Sequence, residues 1–164
     1  MADTSDERLE SQVGALLLAK GWTMSAAESC TGGLVMHRMT NISGSSRYVL
    51  GGVTSYSNAI KQAILNVQES TLIEHGAVSA QVAEEMAVNA RALFGSDIAV
   101  SVTGIAGPDG GTAEKPVGLT YIGLAGPDGL LITQRHVWPG DRETNKTLSA
   151  DAALKLILDT FAGK

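Results

Sequence analysis

Apolar positions follow two different spacings along the chain, which predicts helices and strands in alternation. Helical spacing, with apolar residues three or four apart, covers Ser5–Lys20, the run after Gly33 from Leu34 to Met39, Ser79–Phe94 and Arg142–Phe161. Short apolar runs bounded by turn residues predict strands at Trp22–Ala27, Tyr48–Tyr56, Ile98–Val102, Val117–Leu124 and Leu130–Val137. The pattern therefore indicates a protein of the α/β class.

Polar residues at the ends of these segments mark where helices begin and stop. Thr4 with Glu7 forms a predicted capping box for the first helix, and Gly21 is its predicted stop. Further predicted N-caps are Ser57 with Asn58 before a short helix that carries Lys61, Ser79, and Asp141. Another short helix is predicted over Glu69–His75.

Two glycine-containing features complete the predicted architecture. The pair Gly51-Gly52 inside a strand predicts a bulge or a close backbone neighbour. The segment Ala125–Gly129 joins the last two strands and predicts a hairpin. We expect one domain over residues 1–164, a three-layer α/β/α sandwich with a mostly parallel mixed sheet and an antiparallel edge hairpin.

Charge and composition narrow the possible partners. The net charge is −5, which argues against nucleic-acid binding because phosphate backbones require a basic face. The single cysteine, Cys30, excludes an internal disulfide and is typical of a reducing compartment. No apolar run approaches the ~18 residues of a membrane-spanning helix, and residues 1–20 lack the basic start of a secretory signal. We expect a cytoplasmic protein that contacts no membrane.

The segment Ala27–Gly33 follows a predicted strand and precedes a predicted helix. It carries a carboxylate, two hydroxyls, a thiol and two glycines. In α/β folds ligands bind beyond the carboxyl ends of the strands, and the free N–H groups at a helix start favour anions. The segment predicts a site for a phosphorylated or otherwise anionic small molecule, whose negative charge would lie on the helix start after Thr31.

Parallel strands ending at Ala27, Tyr56 and Val102 would bring Ser29, Lys61 and the glycine-rich loop that starts at Thr103 to one edge of the sheet. Serine needs an adjacent base to act as a nucleophile, and a lysine with a lowered pKa is such a base. We expect Ser29 to attack, Lys61 to take its proton and Tyr56 to assist. Burial or a cationic neighbour, for which Arg142 is the candidate, would lower the lysine pKa. The alternatives are a solvated surface lysine and a serine that only caps a helix.

Other chemistry-bearing residues are weaker candidates. Cys30 is a rival nucleophile, or a small buried hydrophobic side chain. The three histidines lie far apart without metal-ligand spacing, so no metal site is expected. Asp109 and Asp128 both lie in Gly-Pro-Asp-Gly segments, where aspartate favours turn geometry.

Several motifs together resemble the CinA C-terminal domain family over about Leu9 to Phe161. They lie at residues 27–33, 44–46, 56–58 with Lys61, 101–111 and 115–118. The resemblance implies a free-standing nicotinamide-nucleotide amidohydrolase. Such an enzyme converts nicotinamide mononucleotide to nicotinate mononucleotide and ammonia in pyridine-nucleotide recycling, without a cofactor. The alternative from another class is a noncatalytic nucleotide-binding module that regulates a partner.

The same resemblance introduces Ser46 as a second candidate nucleophile, because Gly-Ser-Ser is also a family motif. A straight strand over residues 49–56 spans about 26 Å at ~3.3 Å per residue, which would leave Ser46 far from Lys61 unless a bulge or a neighbouring subunit intervenes. A homo-oligomer is expected, as for many soluble enzymes. The expected substrate contacts are Glu28, Thr31, Gly32, Gly33, Ser46, Thr103, Gly104, Gly107 and Arg142.

Overall fold

The computed structural model describes residues 7–164, which form helices packed on both faces of a five-stranded sheet. The helices are α1 Leu9–Lys20, α2 Leu34–Thr40, α3 Asn58–Leu65, α4 Glu69–His75, α5 Ala80–Phe94 and α6 Arg142–Phe161. The strands are β1 Met24–Glu28, β2 Val49–Thr54, β3 Ile98–Gly104, β4 Leu119–Ala125 and β5 Leu131–Val137. Short 3-10 turns lie at Ser45–Arg47 and Pro127–Gly129.

The sheet has the strand order β2-β1-β3-β4-β5. β1 lies between β2 and β3 and is parallel to both, so these three strands end at one edge of the sheet. β4 runs antiparallel to β3, and β5 antiparallel to β4. The predicted mostly parallel mixed sheet with an antiparallel edge hairpin is confirmed. We call the two sheet ends the carboxyl edge and the amino edge after the parallel strands.

Two hydrophobic cores separate the layers. Met24 and Ala26 of β1 join the larger core beneath α1, α2 and α6. Ala27 joins the smaller core beneath α3, α4 and α5. Because successive side chains of a strand point to opposite faces, β1 supplies both cores, and all five of its residues are buried. The three-layer α/β/α arrangement is therefore confirmed.

A register shift lies directly before the glycine pair in β2, and a Cβ on Gly52 would lie 3.1 Å from the Ala26 carbonyl oxygen, so Gly52 has the predicted close backbone neighbour. Met24 of β1 pairs with Val49 and Ser25 pairs with Gly51, so Leu50 has no partner in β1 and forms a bulge. A Cβ on Gly51 would lie 2.7 Å from the Phe94 ring, and one on Gly52 would lie 2.5 Å from Met36. The strand can thus approach the helices on both faces only because neither position has a side chain.

Segment boundaries agree with the predictions where a side chain caps the helix. Ser57, Ser79 and Asp141 each accept a hydrogen bond from the backbone N–H three residues on. The predicted start of α1 is wrong: Thr4 and Ser5 lie outside the described residues, and the helix begins at Leu9 after extended Arg8. β4 begins at Leu119 rather than Val117, because Gly118 adopts φ +91° against the Trp138 carbonyl.

Strand ends differ from the predictions by a few residues. β1 begins at Met24 and extends to Glu28, and β3 extends to Gly104. β2 ends at Thr54, so Tyr56 lies in the connection to α3 rather than in the strand.

Among residues 7–164, no helix is long and apolar enough to cross a membrane.

Candidate active site

A cavity of about 250 Å³ opens at the carboxyl edge, beyond the ends of β1 and β3 and beside the start of α6. The predicted convergence of strand ends is what forms it. It is lined by Ser29, Cys30, Tyr56, Asn58, Lys61, Ala77, Val78, Thr103, Gly104, Ile105, Ala106, Gly107, Asp109 and Arg142.

Lys61 is the most unusual residue of the cavity, because its side chain is buried with 1% of the residue exposed. The Ser57 cap starts α3 so that Lys61 lies one turn inside and points back toward β1. Its Nζ lies 2.9 Å from Ser29 Oγ and donates to the carbonyl oxygens of Ser55 at 2.7 Å and Tyr56 at 3.3 Å. Lys61 is therefore not a solvated surface lysine.

Burial also lowers the pKa of Lys61, because the charged ammonium loses its hydration there. Cys30 acts in the opposite sense and is outweighed by burial. Arg142 is not a cause of the lowering, so the predicted role of its guanidinium in the lysine pKa is not supported. In the neutral amine, two N–H groups can serve the two carbonyls and leave the lone pair facing the Ser29 hydroxyl.

Ser29 lies at the end of β1, where the chain leaves the sheet. Its backbone N–H donates to the Val102 carbonyl at 2.9 Å, which continues the parallel ladder by one step. The residue is 8% exposed, and that surface faces the cavity. A serine hydroxyl beside a buried amine of lowered pKa is the arrangement that general-base activation requires.

Glu28 occupies the helix start that was predicted to hold an anion. Its carboxylate accepts hydrogen bonds from the N–H groups of Val35 at 2.9 Å and Met36 at 3.1 Å, and from Thr31 Oγ1 at 2.7 Å. The positive end of α2 is thereby neutralised within the chain. Glu28 and Thr31 are each 1% exposed, so they shape the turn and do not line the cavity.

Gly32 and Gly33 complete the same turn. Their φ angles of +63° and +103° lie in the region that favours glycine. A Cβ on Gly32 would approach Lys146 Nζ, and one on Gly33 would approach Thr54 Oγ1, and neither glycine lines the cavity. The glycines permit the tight path that follows Ser29.

Cys30 lines the cavity but remains 7% exposed and belongs to the larger core. Burial raises the pKa of its thiol to about 12, which keeps the sulfur protonated at neutral pH. Its Sγ lies 3.1 Å from the position that a Cβ on Gly104 would take, so Gly104 leaves room for the sulfur. These properties match the small-hydrophobe alternative for Cys30.

The opposite wall is held by α6. Arg142 donates from Nη1 to the Gly107 carbonyl at 2.7 Å and from Nη2 to the Tyr56 hydroxyl at 3.0 Å. Asn145, one turn further, donates to the Ala106 carbonyl at 3.0 Å. Thr103 donates to the Ala77 carbonyl at 2.8 Å. The glycine-rich loop is thus fixed at consecutive carbonyls by side chains distant in sequence.

Tyr56 stands at the mouth of the cavity, with 61% of the residue exposed. Lys61 contacts the backbone carbonyl of Tyr56, while the hydroxyl of Tyr56 is bonded to Arg142. A proton relay from Ser29 or Lys61 through the Tyr56 hydroxyl has no hydrogen-bonded path here. The ring is an exposed part of the cavity lining.

Ser46 lies away from this cavity. It is exposed in the 3-10 turn that precedes β2, at the amino edge of the sheet. The bulge in β2 does not return it to the carboxyl edge, because Thr54 still pairs with Glu28. Within one chain, Lys61 is therefore paired with Ser29 and not with Ser46.

Sequence reasoning missed several lining residues. Asn58 was expected to help cap α3, but Ser57 alone caps it and Asn58 lines the cavity. The tetrapeptide predicts a turn role for Asp109, and this residue also lines the cavity. The apolar lining at Ala77, Val78, Ile105 and Ala106 had no signal in the sequence beyond its nearness to Ser79 and Thr103.

Within residues 7–164, no three His, Cys, Asp or Glu side chains are grouped so as to hold a metal ion.

Fold and site define an α/β protein with a buried lysine–serine pair at the carboxyl edge of its sheet. The CinA C-terminal domain model matches residues 6–161, and the chain belongs to this family. It is 48% identical over 161 residues to the nicotinamide-nucleotide amidohydrolase PncC of Enterobacter agglomerans, with 98% of each chain covered. It is also 49% identical over 154 residues to a CinA-like protein of Koribacter versatilis, of which it spans 37%.

Solved structures of the same family have the same fold. The competence/damage inducible protein CihA of Agrobacterium tumefaciens is similar with a TM-score of 0.90 at 37% identity, covering 92% of both chains. The competence damage-inducible protein A of Klebsiella pneumoniae is similar with a TM-score of 0.91 at 34% identity, covering 94% of this chain and 96% of that one. The resemblance noted in the motifs is confirmed.

Proposed function

We propose that this chain is an amidohydrolase that converts nicotinamide mononucleotide to nicotinate mononucleotide and ammonia. The observation that carries the proposal is the 2.9 Å contact between Lys61 Nζ and Ser29 Oγ inside a cavity at the carboxyl edge. The full-length similarity to PncC, whose name states this activity, supports the choice of substrate.

In the first half of the proposed reaction, the neutral Lys61 amine takes the Ser29 hydroxyl proton as the serine oxygen bonds to the carboxamide carbon. The carbonyl becomes a tetrahedral oxyanion. The carbon–nitrogen bond then breaks, and the leaving nitrogen takes the proton from Lys61 and departs as ammonia. A nicotinyl ester on Ser29 remains, and Lys61 is neutral again.

In the second half, Lys61 takes a proton from water while the water oxygen attacks the ester carbon. Collapse of that intermediate returns the proton to Ser29 and releases the carboxylic acid, which gives up its remaining proton to solvent and becomes the carboxylate product. One water is consumed and one ammonia is released. No step requires a metal ion or a cofactor.

Backbone N–H groups of Ala106 and Gly107 are our candidates for holding the oxyanion. Both residues line the cavity, and neither N–H donates a hydrogen bond to any residue in 7–164. Arg142 and Asn145 fix the carbonyls of the same two residues, so these amides are held in place. One such donor is worth roughly 3–4 kcal/mol of transition-state stabilisation in other enzymes.

The ribose phosphate is proposed to lie at the mouth, against Arg142. A guanidinium has five N–H donors, of which Gly107 and Tyr56 engage two. We prefer this position for the phosphate to the start of α2, because Glu28 already binds the free amides there. Thr103, Gly104 and Gly107 would line the path between the phosphate and Ser29.

The remaining expectations accompany the proposal. We infer that the chain acts as one domain in the cytoplasm, for which the lone cysteine is typical, and that it self-associates. Light scattering coupled to size-exclusion chromatography measures the assembly. Ser46, exposed at the amino edge, would contribute to a site only from a second copy of the chain.

Ammonia release from purified protein with nicotinamide mononucleotide tests the proposal. Stoichiometric formation of nicotinate mononucleotide, abolished in Ser29→Ala, is the expected result. Binding of the nucleotide without ammonia would instead identify a noncatalytic nucleotide-binding module. Excess chelator in the same assay should leave turnover unchanged.

A further inference from the structure

Asp109 lies on the cavity wall with an unpaired carboxylate. It is exposed and makes no hydrogen bond or ion pair with any residue that the structure describes. Its neighbourhood is nevertheless fixed, because Arg142 holds the Gly107 carbonyl two residues earlier. The turn therefore does not depend on the Asp109 side chain, which leaves the carboxylate available to a ligand.

The other charged groups of the cavity are already engaged. Lys61 Nζ is surrounded by the oxygens of Ser29, Ser55 and Tyr56. Arg142 is bonded to Gly107 and Tyr56. Asp109 is the negatively charged residue beside Lys61 and Arg142 in the cavity lining. A ligand that lies between Ser29 and the mouth therefore meets a carboxylate without a protein partner.

We propose that Asp109 recognises the positive charge of the pyridinium ring, an inference that rests on the proposed function. Attachment of ribose makes the ring nitrogen of nicotinamide mononucleotide permanently cationic, two bonds from the carbon that bears the carboxamide. The exposed Tyr56 ring at the mouth adds an aromatic face, which also attracts cations. Asp109 is thus a specificity-determining residue that favours an N-ribosylated ring over a neutral one.

Equilibrium binding separates this role from ribose recognition. Reduced (1,4-dihydro) nicotinamide mononucleotide has the same carboxamide, ribose and phosphate but a neutral ring. The dissociation constants of both nucleotides are measured by calorimetry on Ser29→Ala protein, which keeps the ligands intact, with and without Asp109→Asn. Asparagine keeps the size and hydrogen-bonding capacity of the side chain and removes its charge.

We expect Asp109→Asn to weaken binding of the oxidised nucleotide about three- to fivefold at low salt, the range of an exposed charge pair, and to leave the reduced one unchanged. The difference should shrink in ~1 M salt, where the Debye length is about 3 Å. Asp128→Asn is the matched control, since it changes the same Gly-Pro-Asp-Gly tetrapeptide away from the cavity. It should move neither constant.

Equal weakening of both nucleotides by Asp109→Asn would overturn the inference, because the carboxylate would then act on the shared ribose or on the loop. No change in either constant would overturn it as well. Ammonia release by the unsubstituted protein is measured alongside. If ammonia is released and either of these binding results is found, only the role of Asp109 is refuted. If no ammonia is released, the proposed function is refuted, and this inference with it.

Discussion

The carboxyl and amino edges of the sheet carry closely similar residues but have different roles. Each edge has a candidate serine beside glycine-containing motifs, Ser29 at one and Ser46 at the other. Each also has a Gly-Pro-Asp-Gly tetrapeptide, at residues 107–110 and 126–129. At the carboxyl edge these segments border a cavity with a buried lysine, whereas at the amino edge Ser46 is exposed and the tetrapeptide closes a hairpin.

The difference arises from partners that are distant in sequence. The segment at 126–129 is closed by its own backbone, with Gly126 N–H donating to Leu130 and Leu130 N–H donating to Pro127. The segment at 107–110 is held by Arg142, which lies 35 residues away. Identical tetrapeptides therefore adopt different conformations, and chemistry depends on which edge also receives Lys61.

The largest expected effect separates the two serines. Ser29→Ala should lower kcat by at least about 10³-fold, because removal of a nucleophile in a unit that acts together costs most of the catalysis. Ser46→Ala should retain kcat, since one chain keeps this serine away from Lys61. Steady-state ammonia release measures both variants. The reverse order would show that the amino edge of a second copy supplies the nucleophile.

Removal of the base should have the next largest effect. Lys61→Met keeps the length and apolar fit of the side chain and should lower kcat by about 10²–10⁴-fold. Lys20→Met is the control, because Lys20 stacks over Trp22 near the amino edge and does not line the cavity. Rates and far-ultraviolet circular dichroism are compared. Near-normal turnover in Lys61→Met would exclude the lysine as the base.

The pH dependence of kcat should reveal the lowered lysine pKa. The neutral amine is the active form, so the rate should rise about tenfold per pH unit and then level off as pH passes the folded-state pKa. Burial lowers the pKa of Lys61, which places the plateau below the ordinary lysine value of about 10.4. A rate that keeps rising past that value would contradict the assignment.

Alanine in the two tetrapeptides should affect stability unequally. Gly107 has φ +90°, and its added Cβ would lie 2.5 Å from Val117, so Gly107→Ala should lower the free energy of unfolding by about 1–3 kcal/mol. Gly126 has φ −148°, and its Cβ would meet side-chain ends at 3.2 Å or more, so Gly126→Ala should cost less than about 1 kcal/mol. Urea denaturation compares the two.

The smallest expected effects concern two tyrosine hydroxyls. Tyr56→Phe removes an exposed bond to Arg142 and should lower kcat/KM about twofold, the low end for one hydrogen bond. Tyr48, near the amino edge, has a buried hydroxyl without a partner among the described residues. Tyr48→Phe should leave turnover unchanged and raise the free energy of unfolding by about 1 kcal/mol. A loss of activity in Tyr48→Phe but not in Tyr56→Phe would show that the amino edge, rather than the carboxyl edge, supports turnover.

Local signals made much of the fold predictable. Caps such as Ser79 act on amides three residues away, and the apolar run at Ile98 has the composition of a buried central strand. The strand ends were less predictable, because tertiary contacts such as that between Gly118 and the Trp138 carbonyl decide them. The predicted start of α1 was wrong, because a sequence pattern typical of a helix cap does not by itself begin a helix.

The site was predictable only in part for the same reason. The parallel direction of three predicted strands implied that Ser29, Lys61 and Thr103 meet, and they do. The use of Glu28 as the cap of α2 could have been suspected from a lone carboxylate before an uncapped helix. The bridge from Arg142 to Tyr56 spans 86 residues, and no local pattern encodes it.

The capping of α2 by Glu28 has a consequence for partial unfolding. The residue next to Ser29 binds the amides of Val35 and Met36, so a sub-global opening that releases the first turn of α2 also frees the Glu28 carboxylate, while the backbone of β1 stays paired in the sheet. Hydrogen exchange at those two amides then reports the fraction of molecules in which the turn after Ser29 has lost this anchor. The protein should lose its turnover during heating or denaturation while the sheet still resists exchange.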